Sequence, residues 1–353
     1  MKTIYFSGKA GDGKTAVILG IGLKLREEGL KVSYFKPLGS QKGASKKEDD
    51  DVALMREVFK LPFSSKVICP IMLTPHYLTG SRLKRQQNIW PELDRSFERL
   101  QKGCDILLID GNIAPDIGLS QGIDEFSLAE RWSAAVLYVL KTDNDFDLDR
   151  GLFYWNAWSS RNNEMIGALL NNISRTQLDK TKGIYRPLLE EKNVPVLGVI
   201  PRQAEISAPT VAEFYNALNG EILTLPNKMN RVVEEVVIGT MTSESALSYL
   251  RRAPNKVLIT GGDRSDIALT ALETSTSAII FTGGLYPDVR VLACAEEKGV
   301  PVILVHEDTF ATVENLHNVY RSIHPNNETA IKIAREVIDK YVDCKPILTY
   351  ING

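Results

Sequence analysis

The stretch Ser7-Gly8-Lys9-Ala10-Gly11-Asp12-Gly13-Lys14-Thr15 holds the residue types and spacing needed to bind a phosphate chain. Gly8, a gap of four residues, and then Gly13-Lys14-Thr15 complete a P-loop pattern. Consecutive backbone N–H groups wrap such a chain, and Gly8, Gly11 and Gly13 let the backbone curl closely enough. Lys14 supplies a point charge for the terminal phosphates, and the Thr15 hydroxyl suits Mg²⁺. Lys9, Asp12 and Ala16 lie in the same turn and helix start and join the phosphate-binding set. A glycine-rich turn can also bind nothing, so the flanks decide. An apolar run, Thr3 to Phe6, precedes the loop, and a helical pattern from Ala16 to Leu25 follows it. Strand, glycine turn and helix give the context that the chemistry requires, and the helix adds its positive N-terminal end.

A second candidate is Asp110. It ends the apolar run from Cys104 to Ile109 and precedes Gly111. A buried strand delivering one carboxylate to a metal has this form, and so does a turn aspartate. The P-loop on the first strand favours the metal. A third acidic group, Glu48-Asp49-Asp50-Asp51, opens a helical pattern that runs to Phe59, where capping alone also explains acids.

The elements that must position these residues alternate. Strands are expected at 31–36, 104–109, 134–140, 165–170 and 196–200, with helices between them, including 146–160 and 177–192. Segment 79–101 is amphipathic and interrupted by Pro91. This rhythm predicts a P-loop doubly wound parallel sheet with ligands at the carboxyl ends of its strands. The pattern changes between about 208 and 230 and then resumes in a smaller α/β region. There Thr260-Gly261-Gly262 and Thr282-Gly283-Gly284 each follow a strand. Such turns suit an anion or a tight corner equally. Asn326 to Val342 reads as a terminal amphipathic helix.

Composition narrows the function classes. The 353-residue chain is 44% hydrophobic and 24% charged, as ordinary globular proteins are. A net charge of −2 gives no electrostatic case for nucleic acid. No apolar run reaches membrane-spanning length, and the N-terminus runs directly into a strand, so a cytoplasmic protein is expected. Cys69, Cys104, Cys294 and Cys344 form no C-x-x-C pair and read as separate thiols.

Residues 1–215 resemble the dethiobiotin synthetase-like domain at the N-terminus of some phosphotransacetylases. The resemblance rests on the P-loop, Tyr34-Phe35-Lys36-Pro37, Asp49 to Asp51, Leu108-Ile109-Asp110-Gly111 and Leu197-Gly198-Val199-Ile200-Pro201. Residues 216–325 resemble a DRTGG domain through Ile259-Thr260-Gly261-Gly262-Asp263-Arg264-Ser265-Asp266 and Phe281-Thr282-Gly283-Gly284-Leu285. Residues 326–353 are set apart as a C-terminal helix and tail. The acyltransferase domain of the longer family members has no counterpart, so phosphate acetyltransferase activity is not expected.

The resemblance implies ATP and Mg²⁺ as cofactors. It places Thr15, Asp51 and Asp110 on the metal, with Asp51 chosen among Asp49, Asp50 and Asp51. True dethiobiotin synthetases usually carry Glu where Asp110 stands. Lys36 joins Lys14 as a catalytic candidate, beside the transferred phosphoryl group. Asn171 and Pro201 match positions lining the adenine pocket. Lys9 resembles the extra lysine of dimeric ATPases such as the septum-site and partition proteins, which reaches the partner's nucleotide; an exposed loop lysine is the alternative. A homodimer is the expected assembly. Two functions follow. One is a nucleotide-dependent regulatory or sensor protein. The other is an ATP-dependent ligase or carboxylase of the dethiobiotin synthetase type, acting on an unknown small molecule.

Overall fold

In a computed structural model of the chain, residues 1–40, 49–78, 89–161, 163–317, 319, 323, 325 and 327–353 are described. The chain forms two compact units, Met1–Ile206 with Ile323–Gly353, and Ser207–Ser322.

The first unit is organised by β1 (Lys2–Ser7), whose residues after Lys2 are all buried. Its sequence shows no polar alternation because both faces of a parallel sheet are covered. The other strands of the unit are β2 (Val32–Phe35), β3 (Leu38–Ser40), β4 (Ile71–Leu73), β5 (Ile106–Asp110), β6 (Ala135–Leu140), β7 (Met165–Ile173) and β8 (Val196–Pro201). Six of them make a parallel sheet in the order β2-β5-β1-β6-β7-β8, while β3 and β4 pair separately. Phe6 pairs with Asp110 on one side of β1, and Ser7 with Tyr138 on the other. The strand order reverses beside β1, and open α/β sheets bind ligands at the carboxyl ends of the strands at such a point. The P-loop and Asp110 both lie at that edge.

The helix Lys14–Glu27 packs through Val17, Ile18, Ile21 and Leu25. Gly20 lets it approach the helix Glu328–Tyr341 so closely that a Cβ would overlap the Ala334 carbonyl. Gly20→Val is therefore expected to cost about 2 kcal/mol or more of stability, measured by urea unfolding. An unchanged midpoint would mean that the two helices separate at no cost.

Three differences from the sequence expectations have physical causes. The C-terminal segment belongs to the first unit, because Ala330, Ala334, Val337 and Ile338 are buried in its core and Val342 bridges to Gly198. A further helix, Lys345–Asn352, follows it, with Pro346 in its first turn where no N–H is needed. Pro91 starts the helix Trp90–Leu100 for the same reason and does not interrupt one; the expected helix over 79–88 lies outside the described residues. The helix expected at 177–192 runs without a break from Leu178 to Glu191 after a 3-10 turn at Arg175–Gln177, but it carries a π-helical run at Thr181–Tyr185 before Arg186–Glu191. Pro187 cannot donate to the preceding turn, so the helix changes register there.

The second unit carries β9 (Glu221–Thr224), β10 (Glu235–Ile238), β11 (Lys256–Gly261), β12 (Thr276–Thr282) and β13 (Val302–Leu304), in the order β10-β11-β12-β13-β9. Only β9 runs antiparallel. A full capping box at Thr210 and Glu213 starts the helix Val211–Leu218. Gly283 and Gly284 adopt left-handed φ values of 78° and 67°. Their N–H groups donate to the Glu307 and Val305 carbonyls at 2.7 and 2.9 Å. That pair acts as a tight corner whose donors are already used. Among the described residues, no helix is long and apolar enough to cross a membrane.

Candidate functional site

The loop after β1 is held from several sides. Lys9 N–H donates to Asp12 Oδ2 at 2.7 Å, and Ala10 N–H to the Ile113 carbonyl at 2.6 Å. Gly13 caps the following helix in the left-handed region at φ 83°, with no side-chain cap. Glycine adopts that conformation without strain. Burial raises the Asp12 carboxyl to about 6 against the pull of the Lys9 amide and the Lys14 and Lys9 charges.

Lys14 is buried, and its ammonium donates to the carbonyls of Gly8 at 2.6 Å, Lys9 at 3.2 Å and Asn112 at 2.9 Å. Three carbonyls match the three donors of an ammonium. The side chain is therefore folded over its own loop. Thr15 and Ala16 are half-buried at the helix start.

Asn171 stands under this loop. Its amide donates to the carbonyls of Asp12 at 2.7 Å and Gly13 at 3.4 Å. A Cβ on Gly13 would overlap that amide. Its side chain thus supports the P-loop backbone. Pro201 ends β8 opposite Ile173, at the far edge of the sheet from β2, and its carbonyl accepts from Gln203. Lys9 pairs with Asp147 of the same chain at 3.3 Å.

An acid corner lies at the ends of β2 and β5. Lys36 is buried beside Asp49, Asp51 and Asp110. Burial opposes its charge, but Asp51, Asp110 and Asp49 together outweigh burial and hold the ammonium well above its ordinary range. Burial pushes the Asp110 carboxyl upward and Asp51 adds to this, while Lys36 and Lys14 pull it down. Tyr34 donates to Asp110 Oδ2 at 2.8 Å. Asp110 Oδ1 is buried and has no hydrogen-bond partner. Asp49 accepts from Asp51 N–H and so caps the helix Asp50–Val58 while also facing Lys36.

These residues suit Mg²⁺. The orphaned Asp110 oxygen, Asp51 and the Thr15 hydroxyl are hard oxygen donors. Among the described residues, no three His, Cys, Asp or Glu side chains are arranged to hold an ion by themselves. Mg²⁺ ordinarily takes one or two carboxylates and fills the rest with phosphate and water.

Sequence reasoning missed Glu125. Asp124 caps the helix Glu125–Arg131 through Ser127 N–H, which leaves Glu125 turned inward. Glu125 Oε1 accepts from Asn112 N–H at 2.6 Å, and the Asn112 carbonyl in turn holds Lys14. Burial pushes the Glu125 carboxyl up to about 8, against Lys14, the Ser7 hydroxyl and the Asn112 amide. An Asp-Glu pair at a helix start was the available signal, but it reads as capping.

A family model described as an AAA domain matches residues 4–210, and one described as a DRTGG domain matches residues 213–319. The phosphate acetyltransferase of Nitrosomonas europaea is 23% identical over 332 residues, covering 89% of this chain and 46% of that protein. That of Pseudomonas putida is 22% identical over 355 residues, covering 94% of this chain and 49% of its own length. The chain thus spans about half the length of the curated relatives it matches. Among solved structures, cobyrinic acid a,c-diamide synthase from Mycobacterium smegmatis, with bound ATP analog and magnesium, is 18% identical with a TM-score of 0.38. It covers 57% of this chain and 85% of that one.

Proposed function

The chain belongs to the P-loop family whose AAA-domain model covers more than half of it, and from that premise we propose a Mg-ATP-dependent regulatory protein. ATP occupies the P-loop in the first unit and biases the conformation of the DRTGG unit. The observation that carries this reading is Lys14, already poised over its loop on three exchangeable carbonyls.

In this reading Lys14 moves from carbonyls to the terminal phosphates. The N–H groups of Gly11 to Ala16 surround the phosphate chain. Thr15, Asp51 and Asp110 hold Mg²⁺, which supplies charge neutralisation at the phosphates. Asn171 keeps the loop in shape from below. Coupling to the second unit requires ATP to bind its two conformations with different affinity.

A ligase of the dethiobiotin synthetase type is the second reading. Lys36, close to Asp110, supports it, because such a reaction needs a cation beside the phosphoryl group. The regulatory reading is preferred because three carboxylates already engage that lysine. Hydrogen exchange with and without Mg-ATP separates the two. Regulation predicts altered protection in residues 207–322 and negligible ADP release. ADP release that depends on an added amine or carboxylate, with no change in 207–322, would replace regulation by ligation.

A further inference from the structure

Consecutive peptide groups after β5 bond to three different elements. Gly111 N–H donates to the Phe6 carbonyl of β1 at 2.9 Å. Asn112 N–H donates to Glu125 Oε1 at 2.6 Å, and the Asn112 carbonyl accepts from Lys14 Nζ at 2.9 Å. The Ile113 carbonyl accepts from Ala10 N–H at 2.6 Å. Residues 111–113 therefore form a strap tied to the P-loop on one side and to Glu125 on the other. Glu125 is fully buried. Asp124 fixes its helix start by accepting from Ser127 N–H at 3.1 Å and Ser127 Oγ at 2.7 Å. Gly111 makes room for the carboxyl, since a Cβ there would overlap Glu125 Oε1 and the Phe6 carbonyl.

The geometry points to Glu125 as a positioning residue for nucleotide binding: it fixes the strap and, through the Asn112 carbonyl, holds the Lys14 ammonium over the P-loop. The inference rests on the nucleotide site proposed above and adds to it a residue that acts through Lys14. Two of the carbonyls on Lys14, those of Gly8 and Lys9, belong to the P-loop itself. The Asn112 carbonyl is the one anchored from outside that loop. Without Glu125 the Asn112 peptide loses its restraint, and the ammonium samples more positions. Ordering it again on binding then lowers affinity. Burial lifts the Glu125 carboxyl to about 8 against the pull of Lys14, so at neutral pH the group acts as a hydrogen-bond acceptor and not as a countercharge. An amide oxygen accepts in the same way.

The test uses the full chain, Mg²⁺ and ATP at neutral pH, followed by titration calorimetry. Glu125→Ala is expected to weaken ATP binding by roughly tenfold. Glu125→Gln keeps the acceptor and should stay within about twofold of wild type. In a Lys14→Ala background, Glu125→Ala should cost no more than about threefold, because the residue it positions is gone. A merely structural role would cost the same in both backgrounds. Unchanged ATP affinity in folded Glu125→Ala overturns the proposal, as does an equal loss with Lys14 present or absent. If Glu125→Ala fails to fold, Glu125→Met, of similar volume and without that oxygen, is judged by the same criteria. If neither folds, Glu125→Gln decides: wild-type affinity supports the acceptor role, and a loss of about tenfold or more overturns it. A wild type that binds no ATP removes the nucleotide reading and this inference with it. A wild type that binds ATP no better than Glu125→Ala removes this inference alone.

Discussion

Lys14→Ala is expected to weaken ATP binding by roughly a hundredfold, about 3 kcal/mol, read by titration calorimetry. The lysine presents three donors on a buried ammonium, so its charge meets phosphate where water screens poorly. The same substitution leaves the Gly8, Lys9 and Asn112 carbonyls without that donor. Some loss of thermal stability is expected alongside, on the order of 1–3 kcal/mol. The two effects separate in a melting experiment without nucleotide. Unchanged ATP affinity in a folded Lys14→Ala protein would place the phosphates elsewhere.

Glu125→Gln should produce the second large effect, and it should depend on pH. The buried carboxyl has a native value of about 8 against an ordinary 4.5. Between those values the native state holds a proton that the unfolded chain has lost. Stability therefore falls as pH rises from about 4.5 to about 8, and this contribution is flat outside that window. Glutamine resembles the protonated acid and has nothing to titrate. The variant should match wild type near about pH 5 and exceed it by up to about 4 kcal/mol near about pH 9. Urea midpoints at the two pH values measure the difference. A constant gap between the two proteins would mean that Glu125 does not keep its proton on folding.

The sequence made the first unit legible because its chemistry is local. A strand, a glycine loop and a helix lie within Lys2–Glu27, and their spacing alone placed Lys14 and Thr15. Asp110 was readable because an acid ending a buried strand stands out against apolar neighbours. What could not be read is pairing across distance. Nothing in Asn171 marks it as the support for a loop 159 positions earlier. Nothing in Asp124-Glu125 tells which acid caps and which turns inward. The amphipathic pattern of Glu328–Tyr341 announced a buried face without naming the unit that buries it. Lys9 pairs with Asp147, 138 positions along the chain, and nothing in the loop announces that partner. Pro91 and Pro187 show that proline marks a change in helix geometry without fixing its sign, since one starts a helix and the other follows a π-helical run.

ATP binding to the wild-type chain with Mg²⁺, followed by calorimetry and repeated on Lys14→Ala, tests the central claim most directly. The predicted result is a single saturable site that magnesium tightens and that Lys14→Ala largely removes. An absence of heat at every ATP concentration tried, from a protein shown to be folded, would contradict the assignment of this P-loop as a working nucleotide site.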